Sequence, residues 1–225
     1  MGDSGTTSLN FRNILAIESA IGDGSISLRV DSGDGAVEIS RSGSSRAEKI
    51  ITEIEDIFRN APISKNDLDL IAVSIGPGSY SGIRIGISTA LGLGHALSIP
   101  VTGISALEAL ASCVAVEKLV ALVPIGKSDF AWQLFVADPG GKKRASVDPT
   151  LDSTATLFNS LSVHGDFPIV VPSYCFESIK QIGAERGEII DAGANLASAI
   201  ARLALEKGEN APDLKPIYMR GAVAR

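Results

Sequence analysis

The chain has 225 residues, 45% hydrophobic and 20% charged, with a net charge of −6 and a pI near 5.0. That is the balance of a globular protein with a sizeable core, in one large domain or two modest ones, and it excludes a disordered chain. The acidic balance argues against a chain that grips nucleic acid by itself, because phosphate contacts need a basic face, and no apolar run is long and charge-free enough to span a membrane.

In chain order, residues 1–12 lack a basic stretch followed by an apolar one, so they read as a disordered lead without a secretory signal. Asn13 to Ile17 is an apolar strand ending in the loop Glu18–Gly24. Ser25 to Val30 alternates, with Ile26, Leu28 and Val30 on one side, and Ala36 to Ser40 returns after a glycine-rich turn. Three antiparallel strands therefore come first. Ser45-Arg46-Ala47-Glu48 is a capping box that opens a helix over 46–60, and Pro62 forbids its continuation. Leu70 to Ile75, the turn Gly76-Pro77-Gly78, a helix over 81–97 and an apolar run from Pro100 make a βαβ unit with parallel strands. Ser105 and Glu108 form a second Ser-x-x-Glu box, which opens a further helix.

A second half begins near Lys118. Leu119–Ile125 and Phe130–Ala137 are strands, with a third expected over Lys143–Val147. A helix over 153–161 and a strand at Pro168–Val171 follow. The stretch through Gly187 carries no clear pattern, Asn195–Lys207 is a strong helix, and Lys215–Arg220 is extended. Three strands followed by alternating helices and strands occur twice, which divides the chain into related α/β halves at 13–117 and 118–225.

The helix over 81–97 carries an unusual feature. Gly78, Gly82, Gly86, Ala90 and Gly94 fall four apart and line one face almost without side chains. Glycine costs about 1 kcal/mol against alanine inside a helix, so the ridge implies a backbone that must come very close. Two readings are open: packing on the chain's own sheet, or packing against a helix of a partner subunit.

No catalytic set emerges. The turn at Gly76 misses the GxGxxG spacing by one residue, and there is no Gly-Lys-Ser/Thr. The loop Glu18–Gly24 has the glycines of a phosphate loop, but Glu18 and Asp23 would repel phosphate. His95 and His164 have no second ligand at metal-binding spacing, and there is no HExxH, CxxC or Gly-x-Ser-x-Gly. Cys113 and Cys175 read as buried intracellular thiols, with cytoplasm as the expected location. Neither a cofactor nor a metal is expected. Lys142-Lys143-Arg144, beside Gly140-Gly141, reads as a solvated hairpin tip.

ILAIES at residues 14–19, SIGPGSYSGIRIGISTALGLGHALSIPVTGISALEALA at 74–111 and LKPIYMR at 214–220 together resemble the TsaB family. The resemblance runs from about Ile14 to Arg220. It implies an actin-like (ASKHA, ribonuclease H-like) fold of two β-β-β-α-β-α-β halves, in keeping with the duplicated order. It further implies a non-catalytic subunit that dimerises with a TsaD-like protein in making threonylcarbamoyladenosine beside the tRNA anticodon. A TsaE-like ATPase would join that complex, tRNA would be met only through it, and the chain alone would form a homodimer. The metal-binding histidine pair of TsaD is absent from the matching segment VTGISALEAL at 101–110.

The resemblance also implies that the helices over 46–60 and 81–97 form the partner interface, through Ile50, Ile54, Gly78, Gly82, Gly86 and Ala90. Three departures from the family count against residual nucleotide binding: Glu18-Ser19 for Asp-Thr, Ser45-Arg46 for His-Ser, and Gly126-Lys127-Ser128 for Asp-Ala-Arg. The alternative reading is an actin-like ATP-binding small-molecule kinase or hydrolase. A metallopeptidase is a third, opposed by the missing histidines.

Overall fold

The computed structural model describes residues 12–31, 36–42, 49–183, 187–208 and 214–219. The capping box at Ser45–Glu48, most of the N-terminal lead and Arg220 lie outside them. Arg12, expected in the lead, is tied down: its backbone N–H donates to the Asp69 carboxylate at 2.9 Å.

Two sheets carry the fold. The first comprises β1 (Ile14–Glu18), β2 (Ser25–Asp31), β3 (Ala36–Ser42), β4 (Leu70–Ser74) and β5 (Val101–Ile104), in the order β3-β2-β1-β4-β5. β1, β2 and β3 pair antiparallel, while β1, β4 and β5 pair parallel. The second sheet comprises β6 (Lys118–Ile125), β7 (Asp129–Ala137), β8 (Lys143–Ala145), β10 (Ile169–Val171) and β11 (Ile189–Asp191), in the order β11-β10-β6-β7-β8; β9 (Thr150–Ser153) pairs with β7. Its pairings repeat those of the first sheet: β6, β7 and β8 antiparallel, β6, β10 and β11 parallel. The duplication read from the sequence is thus present in five strands of each sheet, with β9 as an addition to the second.

The helices duplicate as well. α1 (Ile50–Arg59), α2 (Tyr80–Leu97) and α3 (Ala106–Ser112) follow β3, β4 and β5; α4 (Leu157–Ser162), α5 (Phe176–Ile182) and α6 (Leu196–Lys207) follow β9, β10 and β11. α1 packs over β2 and β3, and α2 over β4, β1 and β5. β1 and β4 are buried at every position, as central parallel strands covered on both faces must be. The cover on the second face comes from α6, in the other half of the sequence, while α3 packs on β6, β7, β8 and β10 of the second sheet. Each half therefore lends its last helix to the other, and one core holds Ile14, Leu70 and Ile83 together with Leu119, Phe135 and Ile200.

Several local expectations need correcting. The third strand of the second half stops at Ala145, and β9 occupies the start of the helix expected over 153–161. The unpatterned stretch holds α5. Ser105 precedes α3 with extended backbone, but its hydroxyl makes no cap bond; Glu108 instead meets Lys207 Nζ at 2.6 Å.

Candidate functional site: a self-capped cleft and an outer helix face

The carboxyl ends of parallel strands are where open α/β sheets place ligands. Here the ends of β1, β10 and β11 meet in a cavity of about 300 Å³ lined by Glu18, Asp23, Ser173, Tyr174, Gly193 and Leu196. Glu18 closes β1 and is 1% exposed. Its Oε1 accepts from the N–H groups of Ala20, at 2.7 Å, and Ile21, at 2.9 Å. Burial pushes its pKa up to about 8, while those two amides pull the other way. Gly22 turns with φ +56°, where a side chain would be strained and would strike the Tyr174 ring. Burial and the neighbouring Cys175 and Glu18 raise the Tyr174 hydroxyl, and burial pushes the Cys175 thiol up to about 12.

An actin-like fold implies a nucleotide in such a cleft. These residues do not fit its phosphates. A phosphate cradle needs free amides at the loop, yet two are spent on the chain's own carboxylate, with Asp23 beside them. The first amides of α6 are committed too: Ala197 N–H donates to Ser25 Oγ at 2.9 Å and Ser198 N–H to Asn195 Oδ1 at 3.3 Å. Among the described residues, no group of three or more His, Cys, Asp or Glu gathers to hold a metal ion. The β1–β2 loop was legible in the sequence; Ser173 and Tyr174 were not, because their stretch showed no pattern, and Gly193 falls between that stretch and the helix at Asn195, where no element was read. The duplicated strand order was the signal that could have placed them.

The six residues expected at a partner interface do not form a free surface. Ile50 and Ile54 are each 2% exposed and face the core beneath α1. Gly82, Gly86 and Ala90 are buried and Gly78 is half-buried. A side chain at Gly78 would meet the Ala20 carbonyl, and at Gly82 the Ser19 carbonyl. At Gly86 it would meet Ser19 Oγ. Ser19 Oγ donates to the Gly82 carbonyl at 2.8 Å, and Ser79 N–H to the Ala20 carbonyl at 2.7 Å. The close approach that the glycines allow is therefore with the chain's own β1–β2 loop. The outward side of the same helices carries Ile51, Tyr80 and Leu91, each about half exposed at 51%, 45% and 48%. Arg84 lies 5.5 Å over the Tyr80 ring, and the ring of Tyr218 in the extended tail meets it at 4.9 Å with a tilt of 43°.

Two mixed sheets with exchanged helices define an actin-like α/β protein, and YeaZ from Pseudomonas aeruginosa has the same fold. The two superpose with a TM-score of 0.71 at 19% identity, covering 92% of this chain and 99% of that one. The family described as "TsaD: tRNA N6-adenosine threonylcarbamoyltransferase" matches residues 41–224, and the chain belongs to it. It is similar to the tRNA threonylcarbamoyladenosine biosynthesis protein TsaB of Buchnera aphidicola, 46% identical over 63 residues, which is 28% of this chain and 30% of that one. It is also similar to an uncharacterized protein of Mycobacterium bovis, 30% identical over 108 residues, 46% of this chain and 51% of the relative. The chain thus spans about half the length of that relative and less of the TsaB protein.

Proposed function

We propose that the chain is a non-catalytic subunit that pairs with a TsaD-like transferase and supports the formation of threonylcarbamoyladenosine next to the tRNA anticodon. The observation that carries this reading is the self-capped cleft in a member of this family: Glu18 takes up loop amides that a phosphate would need. It favours a supporting role over the alternative of an ATP-using kinase or hydrolase. The contact surface is the outward side of α1 and α2, where Ile51, Tyr80, Arg84 and Leu91 offer the aromatic, aliphatic and arginine groups that anchor interfaces. The same surface pairs two copies of the chain when the partner is absent. A TsaE-like ATPase joins the complex, tRNA reaches the chain within it, and the assembly works in the cytoplasm.

The test is co-expression, without a metal-affinity tag, with the TsaD-like protein of the same organism. Co-elution as one complex and tRNA modification that depends on both chains are expected. Full modification without this chain, or turnover of Mg-ATP by the chain alone, overturns the reading.

A further inference from the structure

A second cavity lies away from the cleft. A groove of about 760 Å³ runs between the hairpin β7–β8 and the wall made by α3 and the end of α6. Lys142, Lys143 and Arg144 line it from the hairpin, and Lys207 from α6; the carboxylates facing them are Glu108 and Glu206. On a chain of net charge −6, this places four cations against two carboxylates in one concavity.

Most of these cations are held in place. Lys143 Nζ donates to the Val116 carbonyl, Arg144 Nε pairs with Asp138 at 3.1 Å, and Lys207 Nζ pairs with Glu108 at 2.6 Å. Among the described residues, the Lys142 ammonium has no partner. Asp138 also accepts the Gly140 and Lys142 amides at 3.0 Å, which fixes the hairpin tip and explains why its carboxyl sits below the usual range. The tip is thus solvated, as expected, and at the same time a braced wall of the groove. Ser105, which also lines the groove, has a buried hydroxyl with no hydrogen-bond partner.

We propose that this groove is an anion site that takes a phosphate-bearing ligand, with Lys142 and Arg144 as its cationic contacts. A phosphate supplies the charge and the several acceptor oxygens that the Lys142 ammonium and the Arg144 guanidinium call for, since Asp138 and the two lining carboxylates still leave one cation in excess. Glu206 can accept from a sugar hydroxyl beside it. The volume lies within the range of small-ligand pockets, about 300–1,000 Å³. The phosphate can come from a free nucleotide or from an RNA backbone, and the site does not depend on the partner proposed above.

The experiment is calorimetric titration of the full chain with inorganic phosphate, with AMP, and with a short single-stranded oligoribonucleotide. AMP is expected to bind more tightly than phosphate. Lys142→Glu should weaken AMP at least about tenfold. Lys180→Glu, the same charge change on α5 and away from the groove, should leave the affinity where it was. An oligoribonucleotide that binds far more tightly than AMP, and more weakly with rising salt, supports the site and names RNA as the source. Lys142→Ala repeats the measurement if Lys142→Glu melts early. No binding of any probe at millimolar concentration overturns the proposal, as does binding unmoved by both Lys142 variants. Tighter binding of a polyglutamate peptide than of any phosphate probe overturns the phosphate assignment.

Discussion

Gly82 and Gly92 sit on the same helix, yet a side chain would meet opposite fates at the two. At Gly82 a Cβ collides with the Ser19 backbone, whereas at Gly92 it points into open space. Gly82→Ala should therefore cost about 1–3 kcal/mol by overpacking, and Gly86→Leu at least as much. Gly92→Ala should add up to about 1 kcal/mol through helix propensity. Thermal midpoints of the three variants check this; a parent-like midpoint for Gly82→Ala would show that the loop yields. Glu18 makes a second prediction at this scale. Its folded pKa is raised to about 8 from 4.5, chiefly by burial. A raised acid holds its proton more tightly folded than unfolded, so its stabilising share is complete below pH 4.5 and fades as pH rises to about 8. Glu18→Gln keeps an acceptor for the Ala20 and Ile21 amides and removes the titration. Urea unfolding should show the parent losing stability across that window and the variant losing less. Parallel curves would mean that Glu18 is solvated.

α2 has two distinct faces, and only the inner one was readable. The four-residue spacing of small residues required a close backbone approach, but spacing cannot say whose backbone arrives. Ser19 and Ala20, distant in sequence, supply it. An interface through α1 and α2 must then use the other side. Leu91→Glu and Ile51→Glu should each weaken binding of the TsaD-like partner by ~2 kcal/mol or more with little change in the midpoint of the isolated chain, since both side chains are about half exposed. Pull-down beside thermal melts separates this from misfolding. Normal binding by both variants moves the interface elsewhere. Legibility elsewhere followed length and locality. β1 and β4 announced themselves as unbroken apolar runs. β11 and α5 are too short to show a period, and with them went half of the cleft. Ser105 and Glu108 matched a capping pattern, but a lysine at the end of α6 competes for the carboxylate and wins.

At the scale of the whole molecule, the division at residues 117 and 118 separates two repeats without separating two folding units. α6 lies on β1, β2 and β4, and α3 on β6 and β10, so each sheet is completed by a helix from the other half. Leu196, Ile200 and Leu203 of α6 are at most 4% exposed. Burying three such side chains is worth roughly 4–9 kcal/mol, comparable with the whole stability of a domain, about 5–15 kcal/mol. The backbone joins in, since Ser25 of β2 accepts from Ala197 N–H at 2.9 Å. Parity of α3 and α6 in the repeat makes the dependence mutual. Residues 13–117 and 118–225 expressed separately should therefore each give the narrow amide dispersion of an unfolded or molten chain. Mixed in equal amounts, they should recover the dispersed spectrum of the intact protein, because apart from the one peptide bond the described residues join the halves by packing, hydrogen bonds and the Glu108–Lys207 ion pair, with no disulfide. The intact chain should correspondingly melt in one transition, with calorimetric and van't Hoff enthalpies in agreement. A first half that folds cooperatively alone, or two separated transitions in the intact chain, would mean that the exchanged helices decorate two independent domains rather than build one core.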